Sequence, residues 1–141
     1  MIIYCDGGSR GNPGPAASAF VVTDDKDNLI ASGSKYLDIK TNNFAEYTAV
    51  VLATDWLVNN KSNIREKVIF NLDSQLVQRQ MTGQYKIKNP DLKKLHDIAV
   101  SNINDLGFEV IFVWNFRSEN HLADELVNTT LDNKLQRENQ K

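Results

Sequence analysis

Four acidic residues, Asp6, Glu46, Asp73 and Asp124, stand where a carboxylate could do more than solvate the chain. Asp6 closes the apolar run Ile2-Ile3-Tyr4-Cys5, and Asp73 closes another, Val68-Ile69-Phe70-Asn71-Leu72. If the two runs are neighbouring parallel strands, about 4.8 Å apart, both acids lie at the carboxyl edge of a sheet, where open α/β sheets carry their sites. Each acid also has a plainer reading. Asp6-Gly7 is a turn signal, and an aspartate just ahead of a helix, as Asp73 would be, is a common N-cap. Glu46 follows Asn43 at the spacing of a capping box. Asp124 falls near the start of a helical segment, where the dipole favours an acid in any case. Taken singly, none of the four separates chemistry from local structure.

The elements that would position these acids follow from hydrophobic periodicity. Ile2 to Cys5 reads as a buried strand, stopped by Asp6-Gly7-Gly8 and a Gly/Pro-rich loop through Pro15. Ala17 to Thr23 and Leu29 to Leu37 read as strands flanking the polar turn Asp24 to Asn28, an antiparallel meander. From Phe44 to Val58 the apolar residues adopt helical spacing. Val68 to Leu72 and Phe108 to Trp114 are apolar without alternation, as expected of parallel strands covered on both faces. Ser74 to Met81, Pro90 to Asn104 and Glu119 to about Asn133 read as helices. The order β-β-β-α-β-α-α-β-α predicts an α/β domain with a mixed central sheet and helices on its faces. A chain of 141 residues can hold one full core, so a single domain is expected over residues 1–134, with a polar C-terminal tail at 135–141 that frays.

The context of the four acids is more specific than any one of them. Asp6-Gly7-Gly8-Ser9-Arg10-Gly11-Asn12-Pro13-Gly14-Pro15 and Thr41-Asn42-Asn43-Phe44-Ala45-Glu46-Tyr47 resemble the first two signatures of the type 1 ribonuclease H family. Asp73-Ser74-Gln75-Leu76-Val77 with Gln80 and Gly83 resembles the third, and Arg117, Asn120, Ala123 and Asp124 the fourth. The resemblance covers Asp6 to about Asn128.

It implies a ribonuclease H-like fold with a five-stranded mixed sheet flanked by helices, on which Asp6, Glu46, Asp73 and Asp124 converge. It also implies two Mg²⁺ or Mn²⁺ ions between those acids and a scissile phosphate, with hydrolysis of the RNA strand of an RNA–DNA hybrid to 5′-phosphate and 3′-hydroxyl ends. Hard divalent ions prefer carboxylate oxygen, which agrees with that ligand set. Asn12, Asn42 and Asn43 and the backbone around Gly7, Gly8 and Ser9 would meet the RNA strand, and Thr41 a DNA phosphate. For the asparagines, turn and cap chemistry is the competing use. Two further readings stay open: a catalytically silent hybrid-binding module, and a nuclease of the same fold acting on another nucleic acid.

The sequence departs from the best-known members in three places. The loop before the last helix reads Asn115-Phe116-Arg117-Ser118 and lacks a histidine often found there; Arg117 is the candidate to take over part of its role, and His121 follows within the helix. No extra helix and basic loop fits between Gly83 and Pro90, which leaves Lys86 and Lys88 as candidates for substrate grip. Cys5 stands where an aliphatic or hydroxyl residue is more usual, pointing away from Asp6 by strand alternation.

Bulk properties bound the setting. A net charge of −2 and a pI near 5.6 argue against a protein that coats nucleic acid non-specifically, although Tyr85 to Lys94 is locally basic. One cysteine excludes an intrachain disulfide, and no apolar run reaches the roughly 20 residues of a membrane span. The expectation is a cytoplasmic monomer whose partner is an RNA–DNA hybrid, with no membrane association.

Overall fold

A computed structural model describes residues 1–139. Its elements in chain order are β1 (Ile2–Ser9), β2 (Gly14–Thr23), β3 (Leu29–Lys40), α1 (Asn42–Asn60), β4 (Val68–Leu72), α2 (Gln75–Met81), α3 (Pro90–Asn104), β5 (Val110–Trp114) and α4 (His121–Asn139), with a short 3₁₀ turn at Arg117–Asn120 before α4. The predicted order of elements is the observed one. The five strands lie in the order β3-β2-β1-β4-β5. β1, β2 and β3 form the antiparallel meander, while β1, β4 and β5 run parallel.

The two faces of the sheet are filled differently. On one face Ile3 and Cys5 of β1, Phe20 and Val22 of β2, and Phe70 and Leu72 of β4 meet Tyr47, Val50 and Leu57 of α1 in the main core. On the other, Ala17 and Ala19 are small enough for α4 to seat Val127 and Leu131 against them. α4 crosses the meander half of the sheet. β5 is therefore not covered on both faces, as its unbroken apolar run suggested: it is an edge strand, with Val113 37% and Trp114 43% exposed.

Other boundaries also shift, each for a physical reason. β1 does not stop at Asp6-Gly7-Gly8, because its antiparallel pairing continues through Gly7↔Ser18 and Ser9↔Ala16. The parallel pairing with β4 ends at Cys5↔Leu72, so Asp6 and Asp73 are the first residues past it on adjacent strands. Five residues assigned from sequence to the frayed tail, 135–139, continue α4, where Lys134 and Glu138 are paired one turn apart. Gln140 and Lys141 of that tail lie outside the described residues.

Candidate active site

Asp6 and Asp73 reach the site from the ends of the β1–β4 pairing, and Glu46 from the second turn of α1. What lets α1 approach is Gly7: a Cβ there would collide with the backbone of Ala45 and Glu46, so any larger residue would push Glu46 away from Asp6. Ser18 of β2 fixes the same turn by donating its hydroxyl to the Ala45 carbonyl at 2.6 Å.

The local alternatives for these acids are taken by other residues. Thr41, not Asn43, caps α1, its Oγ1 accepting the Phe44 N–H at 3.2 Å, so Glu46 is not part of a capping box. Ser74, not Asp73, caps α2 by accepting the Val77 N–H at 3.3 Å. Asp6 lies within a strand rather than in a turn. Asp6, Glu46 and Asp73 are left to face one another, with one carboxylate oxygen from each within a mutual 4.8 Å.

Three acids so close, one of them buried, resist ionisation. Burial first, then the Asp73 charge, pushes the Asp6 carboxyl from 3.8 up to about 7. Burial and the charges of Asp6 and Asp73 push Glu46 well above the usual carboxylate range. Burial also raises Asp73, opposed by the Arg117 charge and by Asn120. Asn120 is itself buried and donates Nδ2 to the Cys5 carbonyl at 2.7 Å, tying the turn before α4 to β1.

Asp124 borders the same cleft but is not one of the mutually close oxygens. Its Oδ1 accepts from Arg117 Nη2 at 2.9 Å, and that pairing raises the Arg117 pKa. The expected convergence of four acids is thus a mutually close triad with a fourth acid that reaches Asp6 from its side. The donor set suits a hard divalent cation: carboxylate oxygens only, close enough to share an ion, with a mutual repulsion that a cation would relieve.

The cleft, of about 500 Å³, is lined by Asp6, Glu46, Asp73 and Asp124, by Gly7, Gly8, Ser9, Asn42 and Asn43 at one rim, and by Arg117. The Asn42 Oδ1 accepts both the Ser9 N–H at 2.8 Å and the Ser9 hydroxyl at 3.1 Å, which locks the Gly-rich loop to α1. Other candidate residues lie elsewhere. Asn12 braces the loop by accepting the Asn42 N–H at 3.0 Å, and Thr41 borders a separate hollow with Lys40 and Asn89. Lys86 lines a further pocket with Tyr85 and His96, and neither it nor Lys88 borders the acids. His121 lines a different pocket with Tyr4 and Glu119, which leaves Arg117 as the residue that accompanies Asp124. Cys5 is buried on the α1 side, its thiol directed to the Ala49 carbonyl and its pKa pushed well up, chiefly by burial. Sequence reasoning missed Arg10, Ser74 and Asn128 as cleft residues.

Sheet order, helix placement and the acid cluster together define a ribonuclease H-like domain, and comparison with known proteins agrees. A family model described as reverse transcriptase-like matches residues 4–130. A bifunctional protein of Mycobacterium tuberculosis is 38% identical over 136 residues, 94% of this chain and 35% of its own length. A ribonuclease HI of Halobacterium salinarum is 35% identical over 130 residues, 92% of this chain and 63% of its own length. The solved structure of LC11-RNase H1 in complex with an RNA/DNA hybrid superimposes with a TM-score of 0.89 at 40% identity, covering 95% of this chain and 98% of that one. The chain belongs to the reverse transcriptase-like family and to the type 1 ribonucleases H. It spans about a third of the mycobacterial relative's length.

Proposed function

We propose that this chain hydrolyses the RNA strand of RNA–DNA hybrids with the help of two divalent cations, Mg²⁺ or Mn²⁺, leaving 5′-phosphate and 3′-hydroxyl ends. The observation that carries this reading is the triad of Asp6, Glu46 and Asp73, whose oxygens lie within 4.8 Å of one another at the floor of an open cleft. These three would hold the cations, with Asp124 completing the set. When bound, such cations supply charge neutralisation for an attacking water and for the leaving 3′ oxygen.

The chain's own residues would orient the substrate. With Oδ1 engaged by Ser9, the Asn42 amide has its Nδ2 without a partner among the described residues, a donor suited to the 2′-hydroxyl that separates RNA from DNA. Past Cys5, β1 has a strand neighbour only on its β2 side. Gly7 is buried against α1 and the Ser9 N–H is held by Asn42, so the Gly7, Gly8 and Ser9 backbone would meet the RNA strand chiefly at the half-buried Gly8. Asn43 would meet the same strand. Asn12 would act mainly through its brace on Asn42, and Thr41 would hold a DNA phosphate from its separate hollow. Arg117 would balance charge at Asp124, while Lys86 and Lys88 would meet phosphates beyond the cleft. The relative solved with an RNA/DNA hybrid supports the choice of substrate. Among the described residues no helix is long and apolar enough to cross a membrane. The setting proposed from the single cysteine is a reducing, cytoplasmic one, with the chain acting as a monomer.

The test is a direct cleavage assay on labelled hybrid, double-stranded RNA and duplex DNA of one sequence, with Mg²⁺ and with chelator. Cleavage confined to the RNA of the hybrid and dependent on the metal supports the reading. Binding without cleavage would make the chain a silent hybrid-binding module, and cleavage of duplex DNA would assign another substrate.

A further inference from the structure

Two cations line the cleft among the described residues, Arg117 and Arg10, and only the first stands beside the acids. Arg10 projects from the Gly-rich loop to the far end of the cleft, where its Nη2 donates to Asp132 Oδ1 at 2.6 Å and, at a longer 3.5 Å, to the Asn128 carbonyl. Both partners are on α4. Asp132 lies two turns beyond Asp124, or about 12 Å along the axis at about 1.5 Å per residue. Arg10 therefore sits at a flanking position, outside direct contact with the triad.

Its geometry differs from that of a buried strut. The Arg10 side chain is 37% exposed and Asp132 60% exposed, so the pair is wet and contributes little to folding. A guanidinium carries its donors in a rigid fork, and only Nη2 is used here; Nη1 and Nε have no protein partner among the described residues. The loop itself is held independently, by Ser9 on Asn42 and by the Arg10 N–H on the Pro15 carbonyl at 2.9 Å. Gly14 packs so closely on the Arg10 carbonyl that a Cβ there would collide with it, which fixes the backbone from which the side chain departs. What remains is a half-engaged fork at the rim of a cleft whose floor is acidic, a poor surface for a polyanion without a cation at its edge.

We propose that Arg10 is a substrate-binding residue, contacting a backbone phosphate that flanks the scissile one on the strand lying in the cleft, and that Asp132 is its positioning residue. The assignment rests on the hybrid-cleaving reading above. It predicts a division of labour in which the acids determine turnover and Arg10 determines binding.

The experiment measures steady-state cleavage and hybrid affinity over a salt series for wild type, Arg10→Ala, Arg10→Lys and Asp132→Asn. Arg10→Ala should raise KM about tenfold with kcat within about twofold, and lower the slope of log affinity against log salt by about one, the value of one lost phosphate contact. Arg10→Lys should keep the slope and recover part of the KM, since it keeps the charge and loses the fork. Asp132→Asn should keep the full slope, because the cation is still present, with a KM rise smaller than that of Arg10→Ala. If Arg10→Ala left KM and slope unchanged while wild type cleaved hybrid normally, the inference would fail and the hybrid-cleaving reading would stand. If Asp132→Asn reproduced Arg10→Ala in KM, slope and thermal midpoint, the pair would be a structural strut and the inference would fail as well. A wild type that neither binds nor cleaves hybrid would remove the reading on which both depend.

Discussion

Asp6, Glu46 and Asp73 share the cleft floor with no ion pair of their own among the described residues, whereas Asp124, on the neighbouring helix, holds Arg117 at 2.9 Å. The first group is fixed by a sheet edge and by α1, and its charges raise one another's pKa. The second is compensated within the protein and is 28% exposed at its side chain. A family signature presents these four acids as equals, but the structure divides them into a crowded triad that an external cation would relieve and a fourth acid that is paired with Arg117 and still adds its charge to the field on Asp6 and Asp73. If the division is real, substitutions in the two groups should differ in size and in some cases in sign.

The largest contrast is expected in turnover. Asp6→Asn, Glu46→Gln and Asp73→Asn should each lower hybrid cleavage by about a thousandfold or more, because a lost metal ligand removes several kcal/mol of transition-state stabilisation at about 1.4 kcal/mol per tenfold. Binding of the hybrid should survive in each. A near-normal rate for Asp73→Asn in Mg²⁺ would put the site elsewhere.

Stability of the metal-free protein should separate the groups next. A carboxyl at about 7 in the fold and near 3.8 when unfolded gives the folded state more bound protons between those values. Stability is therefore lost as pH rises from about 4 to about 7 and is flat above, with a total on the order of 4 kcal/mol at most for this group. Asp6→Asn removes that loss and should raise the thermal midpoint at pH 7 in chelator by roughly 5–10 °C. Mg²⁺ should stabilise wild type, by about 2.7 kcal/mol at one hundred times its Kd, and this variant far less. Thermal melts over pH 4–8, with chelator and then with Mg²⁺, decide it; a lower midpoint for the variant in chelator would show that the acids are not in conflict.

Asp124 should behave more mildly. Asp124→Asn is expected to retain measurable cleavage, reduced about tenfold, because the triad keeps its ligands and the amide can still accept from Arg117. A loss as deep as that of Asp73→Asn would erase the distinction and make Asp124 a full partner of the other three.

Much of this was legible in the amino-acid order, and what was not has identifiable causes. The elements followed from apolar periodicity and the four acids from their motifs, whereas the adjacency of β1 and β4 stayed conditional in the strand pattern and was implied only by the family resemblance. The continuation of β1 through Gly7 and Gly8 was hidden because glycine signals a turn locally, while here the pairing with Ala17 and Ser18 overrides it. Residues such as Thr41 and Ser74 compete locally for cap roles with Asn43 and Asp73, and only the backbone dihedrals show which residue wins. The Arg10–Asp132 and Asn120–Cys5 contacts join residues more than one hundred positions apart, beyond the reach of any local pattern. The exposure of Trp114 depends on where α4 crosses the sheet, which strand composition does not encode.

The smallest expected effect is also the sharpest test, because it should convert the fourth acid into something closer to the other three. Arg117 is 75% exposed, so loss of its pair with Asp124 should change folding stability directly by less than about 1 kcal/mol. Its indirect effect is electrostatic. Arg117 lowers the Asp73 pKa, and the Asp124 charge already raises that of Asp6, so in Arg117→Ala both carboxyls should move further up. The metal-free variant should then lose stability over a pH window that extends above 7. A cation entering the site would meet more uncompensated negative charge, and Mg²⁺ affinity in the absence of nucleic acid should rise by about two- to fivefold, the equivalent of a pair worth up to about 1 kcal/mol. Hybrid affinity can fall in the same variant, so the readout has to be the Mg²⁺ dependence of the thermal midpoint with no substrate present. An Mg²⁺ affinity that stayed constant or weakened would mean that Asp124 does not share a field with the triad, and the grouping of these acids would have to be redrawn.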